Sequence, residues 1–342
     1  WKKIAVIPEG YQHINFALGR NRDSFLCFRN TKPMQMVYKA ELLDRFPKKD
    51  YRDSPLSQAI QMFCFNEGIQ LTTEQESCKC FSFILTTVEG SSGKVVPRIY
   101  ITCLIFYEPI TEAIAKQLHI QVTASSKVYM PKAICLVSHW PFLDNYRSIL
   151  KEIYRLHLSA YEVPLERIIC NLVQEVPLPD QGVTSVLYNI GREKLDFSRP
   201  PPEYLPYVPY SCLEYLFRSL RVHDVISLWS CLMIERKVLL ISTQKSLLTN
   251  VALALTCLVY PFRWEQVLIP ILPAPLKNYI ETIFPYIIGV SPGMLTSDIE
   301  VPVDAVQVDL DNGSIHLREP LPRLPDKLHQ HLYNRLMTCA NI

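Results

Sequence analysis

The stretch that decides the fold is residues 232–273, LMIERKVLLISTQKSLLTNVALALTCLVYPFRWEQVLIPILP. It places the short apolar run 238–242 before the longer apolar stretch 247–259, and a second short run, 267–272, follows. Short continuous apolar runs are typical of strands buried on both faces, whereas the longer stretch has the length of a helix. The stretch therefore predicts a strand, a helix and a second strand, in that order.

The same alternation continues on both sides of this stretch. A helix is predicted over 213–234 before the first strand, and a helix over 276–283 and a strand over 286–290 follow the second. Because helix and strand alternate strictly, right-handed crossovers onto a mainly parallel sheet are implied. The expected class is α/β, or α+β overall once the sheet-rich first part of the chain is included.

Upstream of this region, the alternation of strand and helix begins near residue 130. The continuous apolar run 133–137 predicts a strand buried on both faces, and Pro141 opens the helix that follows. A second helix is predicted over 165–176, where apolar residues recur at helical spacing. Two short strands are expected between residues 177 and 209.

Downstream, two short strands over 306–309 and 315–317 predict a hairpin that turns at Asp311-Asn312-Gly313. The chain then ends in a polar helical segment over 325–338, for which the sequence offers no packing partner. We therefore expect this last segment to be the start of a further helical module or a tail.

The first hundred residues follow the pattern of a sheet rather than of alternating strand and helix. Short apolar stretches predict strands at 4–7, 25–28, 62–65, 81–87 and 98–106. The last two form a hairpin around the Gly- and Ser-rich tip 89–93, and 111–121 is a modest helix or a linker. The domains expected are therefore 1–125, 130–320 and the remainder 321–342.

Charge and composition exclude several classes of function. The chain has 35 Lys and Arg against 33 Asp and Glu, a net charge of +2, and its hydrophobic fraction is 49%. This excludes a strongly disordered chain, and nucleic acid is not an expected partner because its binding domains normally carry a marked basic excess. Gly is scarce, at 10 of 342 residues, and neither G-x-G-x-x-G nor G-x-x-x-x-G-K occurs. We therefore expect no bound nucleotide and no other cofactor.

The 11 cysteines are scattered, and no C-x-x-C pair occurs among them. Most lie in apolar runs, where a thiol packs as a small hydrophobe. This distribution predicts a reduced, cytosolic protein without a bound metal. Cys78 and Cys80 share one side of a strand, where packing is favoured over a strained disulfide.

No pattern of nucleophile, base and metal ligand indicates a catalytic residue. Ser138-His139 ends a buried strand where α/β enzymes place catalytic groups, but no acidic third member accompanies it, so capping is favoured. His329 and His331 lie two residues apart on a helix and point in different directions, so solvated side chains are favoured over a metal site. We expect no covalent chemistry.

The charged turn Glu235-Arg236-Lys237 lies between an apolar helix and an apolar strand and has two explanations. In the first, the charges cap the helix and mark an exposed turn. In the second, Glu235 is a buried anchor that holds the two elements, or a loop of a partner. The sequence favours the first explanation and leaves the second open.

Five blocks of the central region resemble the central module of DENN domain proteins, in the same order: 232–242, 247–249, 260–264, 269–273 and 285–290. Two further segments resemble the start of that module: 131–138 and 164–167. Segments of the first domain resemble the upstream module of the same family: 63–68, 81–86 and 106–109. The resemblance implies a longin-like first domain followed by a central DENN α/β domain.

The resemblance also implies an activity, which composition and periodicity alone would not indicate. DENN modules act as guanine nucleotide exchange factors for Rab GTPases in vesicle traffic. The implied partner is a Rab-type small GTPase, GDP-bound or nucleotide-free, and further subunits or domains are also expected partners. Two alternatives stay open: a GTPase-activating protein of longin–DENN type, in which Arg98 reaches the nucleotide phosphates, and a scaffold that binds a GTPase without changing its turnover.

The candidates for GTPase contact are the charged turn and the loop around Trp264, namely Glu235, Arg236, Lys237, Trp264, Glu265 and Gln266. For Trp264 a core role is favoured over an exposed anchor, because Tyr260-Pro261-Phe262 beside it is apolar. The family commonly places Ser where this chain has Arg221, so we expect the long central helix to start from Asp224 as its cap.

A groove between the two domains is expected to receive the GTPase switch regions, because the connecting segment 109–130 is polar at Ser125, Ser126 and Lys127. Attachment to vesicle or endomembrane surfaces is expected to be peripheral and indirect. Basic residues of the first domain are expected to spread over a solvated face: Lys2, Lys3, Arg20, Arg22, Lys48, Lys49 and Arg52. The longest apolar stretch, 247–260, is too short for a membrane span.

Overall fold

The computed structural model describes residues 2–4, 12–14, 25–28, 33–52, 54–86, 88–89, 94–95, 98–118, 120, 127–159, 162–182, 184–201, 206–321 and 324–339. Contacts divide the chain into two compact units. The first consists of 1–39, 68–77 and 107–132, and the second of 40–67, 78–106 and 133–342.

The strands are, in chain order, β1 (Lys2–Ile4), β2 (Gln12–Ile14), β3 (Phe25–Phe28), β4 (Lys79–Leu85), β5 (Val88–Glu89), β6 (Lys94–Val95), β7 (Ile99–Pro109), β8 (Tyr129–Ser138), β9 (Ser185–Ile190), β10 (Glu193–Ser198), β11 (Val238–Ile241), β12 (Val267–Ile269), β13 (Tyr286–Val290), β14 (Val306–Asp309) and β15 (Ser314–His316). The α-helices are α1 (Ile60–Cys64), α2 (Glu112–Gln117), α3 (Leu143–Leu158), α4 (Leu165–Cys170), α5 (Tyr210–Ser219), α6 (Val222–Met233), α7 (Lys245–Leu258) and α8 (Asp326–Cys339).

The first unit contains a small antiparallel sheet in the order β1-β3-β2. The strand predicted over 25–28 is confirmed as β3, and the modest helix predicted over 111–121 is confirmed as α2. Of the strand predicted over 4–7, Ile4 ends β1, while residues 5–7 lie outside the described residues. Arg20, Arg22, Ser125, Ser126 and the side chains of Lys2 and Lys3 also lie outside them.

The second unit contains a sheet in the order β4-β7-β8, in which β4 and β7 run antiparallel with Leu85 opposite Ile99. This confirms the predicted hairpin, which β5 and β6 continue toward its tip; residues 90–93 of the tip lie outside the described residues. The strand predicted over 133–137 is present in β8, but it is not buried on both faces, since Val137 is exposed. β8 stands last in the described strand order, and most of its residues are only half-buried, so neither face of this strand is fully covered.

The strand predicted over 62–65 is wrong, because this segment belongs to helix α1. Phe63 and Cys64 on α1 are buried, and Phe63 stacks on Phe83 of β4 with ring centroids 5.6 Å apart. A short apolar run does not distinguish a strand from a buried helical turn, so its sequence pattern fits both.

Helix α3 and the hairpin of β9 and β10 share a core of Phe142, Ile149, Ile153 and Phe197, among others. The helix predicted over 165–176 is confirmed as α4, which continues as one wide π turn over Asn171–Glu175. The two short strands expected between 177 and 209 are confirmed as β9 and β10, paired antiparallel.

The largest sheet has the order β12-β13-β11-β14-β15. Strands β12, β13, β11 and β14 run parallel, and β15 pairs antiparallel with β14, so the mainly parallel sheet and the final hairpin are confirmed. Helix α7 packs on this sheet, where Val251 and Leu255 share a buried core with Leu240 and Ile287. The helix predicted over 276–283 is a 3-10 helix, Ala274–Glu281.

The single helix predicted over 213–234 is wrong: the chain forms two helices, α5 and α6, separated at Leu220 and Arg221. Both residues adopt extended ψ angles, 145° and 149°, which end one helix and begin the next. Asp224 is therefore in the first turn of α6 rather than its cap, and it accepts a 2.8 Å hydrogen bond from Arg221 Nε. The apolar spacing continues across the break, which hides it from the sequence.

The final helix α8 has a packing partner, contrary to expectation, since it lies against α6. The rings of His223 on α6 and His329 on α8 meet edge to face with their centroids 5.5 Å apart.

Residues of the first predicted domain share a core with the central helix α7. Ile84 of β4 belongs to the same buried cluster as Leu248 and Val251, and the Thr249 hydroxyl donates a hydrogen bond to the Ser82 carbonyl oxygen. The polar segment 109–130 suggested that the two predicted domains associate loosely. Within the second unit, however, the contact between β4 and α7 is direct and buried.

Candidate functional site

The connections that lead into the parallel strands lie along one edge of the sheet. In the pairing of β11 with its neighbours, Val238 lies opposite both Ile287 and Val306, and Val267 of β12 lies opposite Tyr286. Parallel strands in register bring their first residues to the same edge. The four connections 233–237, 260–266, 282–285 and 303–305 form what we call the amino edge.

The charged turn begins where α6 ends, and Glu235 has a positive φ of 52°. A residue in this left-handed region commonly terminates a helix, and here the Glu235 N–H donates to the Leu232 carbonyl oxygen at 3.0 Å. The Glu235 side chain is exposed and accepts a hydrogen bond from Gln266 Nε2 at 3.4 Å. The hypothesis of a buried Glu235 anchor is therefore wrong, because the terminating turn points this residue to the surface.

Arg236 and Lys237 are held by the fold itself. Arg236 Nη2 lies 3.3 Å from a carboxylate oxygen of Glu319, and its guanidinium also donates to main-chain carbonyls of the 319–320 segment. Lys237 is buried and lies 3.0 Å from the Asp304 carboxylate. These two cations fasten the turn to the chain around it, so their interactions are already made within the protein.

Trp264 lies in the core, with 5% of its surface exposed, which is the role the sequence favours for it. Its Nε1–H donates to the Val267 carbonyl oxygen at 3.3 Å. Arg98 Nη2 donates to the Trp264 carbonyl oxygen at 2.6 Å, so the candidate arginine finger is engaged with this loop. Glu265, in contrast, is exposed. The structure brings Glu235 and Gln266 together and places Trp264 beneath the surface.

The amino edge carries exposed apolar side chains in all four of its connections: Met233, Ile234, Tyr260, Phe262, Ile283, Phe284 and Val303. Ile283 is 82% exposed and Phe262 is 62% exposed. Apolar side chains concentrated on one surface are a mark of interaction sites. Sequence reasoning missed these two residues because it placed Ile283 at the end of a helix and Phe284 in the short link to the next strand. Two large apolar residues directly before Pro285 were the available signal.

The other sequence candidates lie apart from the amino edge and have local roles. Ser138 Oγ accepts hydrogen bonds from the Tyr146 hydroxyl at 2.8 Å and from the Trp140 N–H at 3.1 Å, which agrees with the favoured capping role. His139 Nε2 lies 3.1 Å from Ser54 Oγ. Cys78 is exposed before β4, and Cys80 is half-buried on it.

Three cysteines from separate elements meet inside the second unit. The sulfur atoms of Cys64 on α1, Cys103 on β7 and Cys135 on β8 all lie within 4.8 Å of one another, and those of Cys64 and Cys135 are 3.3 Å apart. Sequence reasoning assigned most of the cysteines to apolar packing and did not foresee that these three meet. The three positions are far apart in the chain, so no local spacing signals their meeting.

The environment of this cysteine cluster favours a thiolate at Cys64 only. Hydrogen bonds with Cys135 and Cys64, together with burial, raise the pKa of Cys103 well above its ordinary value. The hydrogen bond with Cys103 lowers the pKa of Cys135, but the hydrogen bond with Cys64 and burial outweigh this lowering, so the pKa of Cys135 is also raised. Hydrogen bonds from Cys103 and then Cys135 lower the pKa of Cys64 to about 5, against the opposing effect of burial, and the nearby Lys245 ammonium adds to the lowering. Burial in turn lowers the pKa of Lys245, whose Nζ donates to Asn66 Oδ1 and lies 5.1 Å from the Phe81 ring centroid. The cluster is therefore a polar site inside an apolar region.

Two related protein domain families match this chain, one after the other along the sequence. Residues 40–106 match the uDENN domain family, and residues 129–313, more than half of the chain, match the DENN (AEX-3) domain family. The chain belongs to the DENN domain family. A DENN relative, the DENN domain and WD repeat-containing protein SCD1 of Arabidopsis thaliana, is 31% identical over 314 residues, which are 89% of this chain and 25% of that protein. The chain thus spans about a quarter of the length of this relative.

The amino edge lies wholly within the DENN match, whereas the cysteine cluster joins the two matches: Cys64 and Cys103 belong to uDENN and Cys135 to DENN. Arg98, which holds the Trp264 loop, is also a uDENN residue. Among the described residues, no helix reaches the length and hydropathy that crossing a bilayer requires.

Proposed function

We propose that this DENN chain is a guanine nucleotide exchange factor for a Rab-type small GTPase and acts in vesicle traffic. The observation that carries the proposal is the presence of the uDENN and DENN modules in order. Such an activity requires no acid, base or metal. A nucleotide bound with a Kd between nM and pM is held by about 12–16 kcal/mol, so the factor must prefer the nucleotide-free GTPase by a comparable margin.

We assign the amino edge as part of the surface that meets the switch regions of the GTPase, with further contacts from the uDENN module. Exposed apolar side chains such as Phe262, Ile283 and Phe284 supply the area that a specific interface buries. The exposed Glu235 and Glu265 and the half-buried Gln266 supply polar contacts around it. Arg236, Lys237 and Trp264 position these loops. Recruitment to vesicle membranes would then follow the GTPase, at the membrane periphery.

The proposal is tested by mixing the whole chain with a panel of purified small GTPases loaded with fluorescent GDP. We expect GDP release from at least one Rab-type member to accelerate in proportion to the concentration of the chain. Single-turnover GTP hydrolysis on the same panel tests the activating-protein alternative. Binding without a change in either rate would contradict the proposal and identify a scaffold.

Replacing Phe262 with Ala should reduce the exchange rate constant about 10-fold or more, because a few large aromatic side chains carry much of the binding energy of an interface and Phe262 is an exposed one on this surface. Its melting temperature should stay near that of the wild type, since surface substitutions typically change stability by less than about 0.5 kcal/mol. The matched control is Leu187→Ala on β9, where an even more exposed apolar residue is shortened and no change is expected.

Charge reversal at Glu265 tests whether an exposed polar residue near Phe262 also contributes to exchange, and it removes no packed side chain. Reversal at Arg236 is less informative because it also breaks the contacts with Glu319. If Phe262→Ala and Glu265→Lys both left exchange on the responding GTPase unchanged, the amino edge would not be the contact surface.

A further inference from the structure

We propose that Cys64, Cys103 and Cys135 form a binding site for a soft, thiophilic metal ion. The ligand class follows from the donor set, because thiolates select Zn²⁺ and Cu⁺ over the harder cations that prefer oxygen. The site is separate from the amino edge and does not depend on exchange activity.

The distances suit one shared ion. Three sulfurs that bind a single ion at a metal–sulfur distance of about 2.3 Å lie about 4 Å from one another. In this chain all three sulfurs are within 4.8 Å of one another, and the closest pair, Cys64 and Cys135, is 3.3 Å apart. Shifts of less than about 1 Å therefore convert the observed cluster into a coordination shell.

The scaffold around the cluster is well suited to holding its ligands in place. Cys103 is fully buried in the part of β7 that pairs with β4, where it lies opposite Phe81, and Cys64 is buried at the end of α1. Because the ligands sit on three packed elements, little conformational freedom remains to be lost when an ion binds. Among the described residues, this is the group of His, Cys, Asp and Glu side chains whose ligand atoms converge in this way.

Charge balance supports the same assignment. Three thiolates with Zn²⁺ carry one net negative charge, and with Cu⁺ they carry two, inside a region that otherwise holds Phe81, Phe83 and other apolar side chains. Lys245 is the first residue of α7, and its ammonium donates a hydrogen bond to Asn66 Oδ1. This ammonium supplies a positive charge close to the sulfurs. A buried charged group needs such a partner.

Packing of three thiols as small hydrophobes is the competing explanation, and a redox pair formed by Cys64 and Cys135 is another. The first gives the convergence of the three sulfurs near a buried ammonium no role, although Lys245 also contacts Asn66 and Phe81, and the second leaves Cys103 unused. Metal binding accounts for all three sulfurs and for the cation.

The test uses the whole chain without an affinity tag, reduced with a phosphine and stripped of metal by a chelator. Zn²⁺ and Cu⁺ are then titrated separately in competition with a chromophoric chelator for each ion, which tells the two apart. We expect one equivalent of at least one ion per chain and a rise in melting temperature on binding. Cobalt(II) added in place of zinc should give the intense near-ultraviolet absorption of thiolate-to-metal charge transfer.

Cys135→Ser and Cys103→Ala should each weaken binding about 100-fold or more, because even groups behind the ligands commonly change metal affinity 10- to 100-fold. The matched controls are Cys257→Ser, a half-buried cysteine on α7, and Cys231→Ala, a fully buried one on α6. Both should bind the ion as the wild type does. Circular dichroism of every apo variant separates loss of the site from loss of the fold.

Two results would overturn the proposal. One is that the reduced wild type takes up neither ion, or takes it up equally when the three cysteines are replaced. The other is that the reduced chain binds no metal while a glutathione disulfide buffer links Cys64 to Cys135, seen as a mass loss of two hydrogens together with release of reduced glutathione. The cluster would then be a redox pair.

Discussion

Replacing Trp264 with Ala should lower the free energy of unfolding by about 3–5 kcal/mol. The indole is buried among the core side chains that also include Leu268 and Val259, so its removal leaves a large cavity. The substitution also removes the Nε1–H that donates to the Val267 carbonyl oxygen, at the point where β12 begins. The loss of a well-packed aromatic side chain and the loss of its hydrogen bond both lower the free energy of unfolding.

Chemical denaturation followed by far-ultraviolet circular dichroism measures this effect. Phe262→Ala is the matched control, because it removes an aromatic side chain two residues away in the same loop but from an exposed position. Trp264→Phe keeps most of the apolar volume and should lower the free energy of unfolding by about 1–2 kcal/mol. This variant provides the measurement if the Ala variant does not fold. If the Trp264→Ala chain kept the wild-type free energy of unfolding and lost only its exchange activity, this residue would be a surface anchor.

The order of the central elements could be predicted from the sequence because each strand and helix carries its own local pattern. β11, β13 and α7 are nearly continuous apolar segments of the right lengths, and Asp311-Asn312-Gly313 marks the turn of the last hairpin. The errors fall where local patterns fit two structures. The break at Leu220 and Arg221 preserves helical spacing on both sides, so only the backbone angles show it.

The candidate sites were predictable only in part, for a related reason. The turn at Glu235 and the loop at Gln266 stand out as charged breaks between apolar elements, but their meeting depends on strand order, which the sequence does not state. The cysteine cluster depends on contacts between α1, β7 and β8, which are even further apart in the chain. Residues that converge through tertiary packing leave no spacing pattern to detect.

Replacing Gly289 with Ala should destabilise the protein by about 3 kcal/mol, the upper end of the about 1–3 kcal/mol that added groups typically cost in a close-packed core. Gly289 lies in β13, in a strand whose five residues are all buried, and pairs with Leu240 of β11. A Cβ atom at this position would fall on the Pro270 carbonyl oxygen and lie 2.9 Å from its carbonyl carbon. These are backbone atoms, so no side-chain rotation relieves the clash.

The backbone segment 270–272 is also held to β13 by a hydrogen bond from the Leu272 N–H to the Gly289 carbonyl oxygen at 2.8 Å. The two backbones therefore cannot separate without breaking this bond. Gly293→Ala is the control, since a Cβ there meets no atom within 4 Å, and it should change stability by less than about 0.5 kcal/mol. Thermal and denaturant unfolding of both variants provide the measurement. Equal stability of the two would show that β13 and the Pro270 segment can move apart. Only Pro285 separates Ile283 and Phe284 from the first residue of β13. A folded Gly289→Ala chain with displaced strands should therefore also lose exchange, which links the close approach of these backbones to the shape of the amino edge.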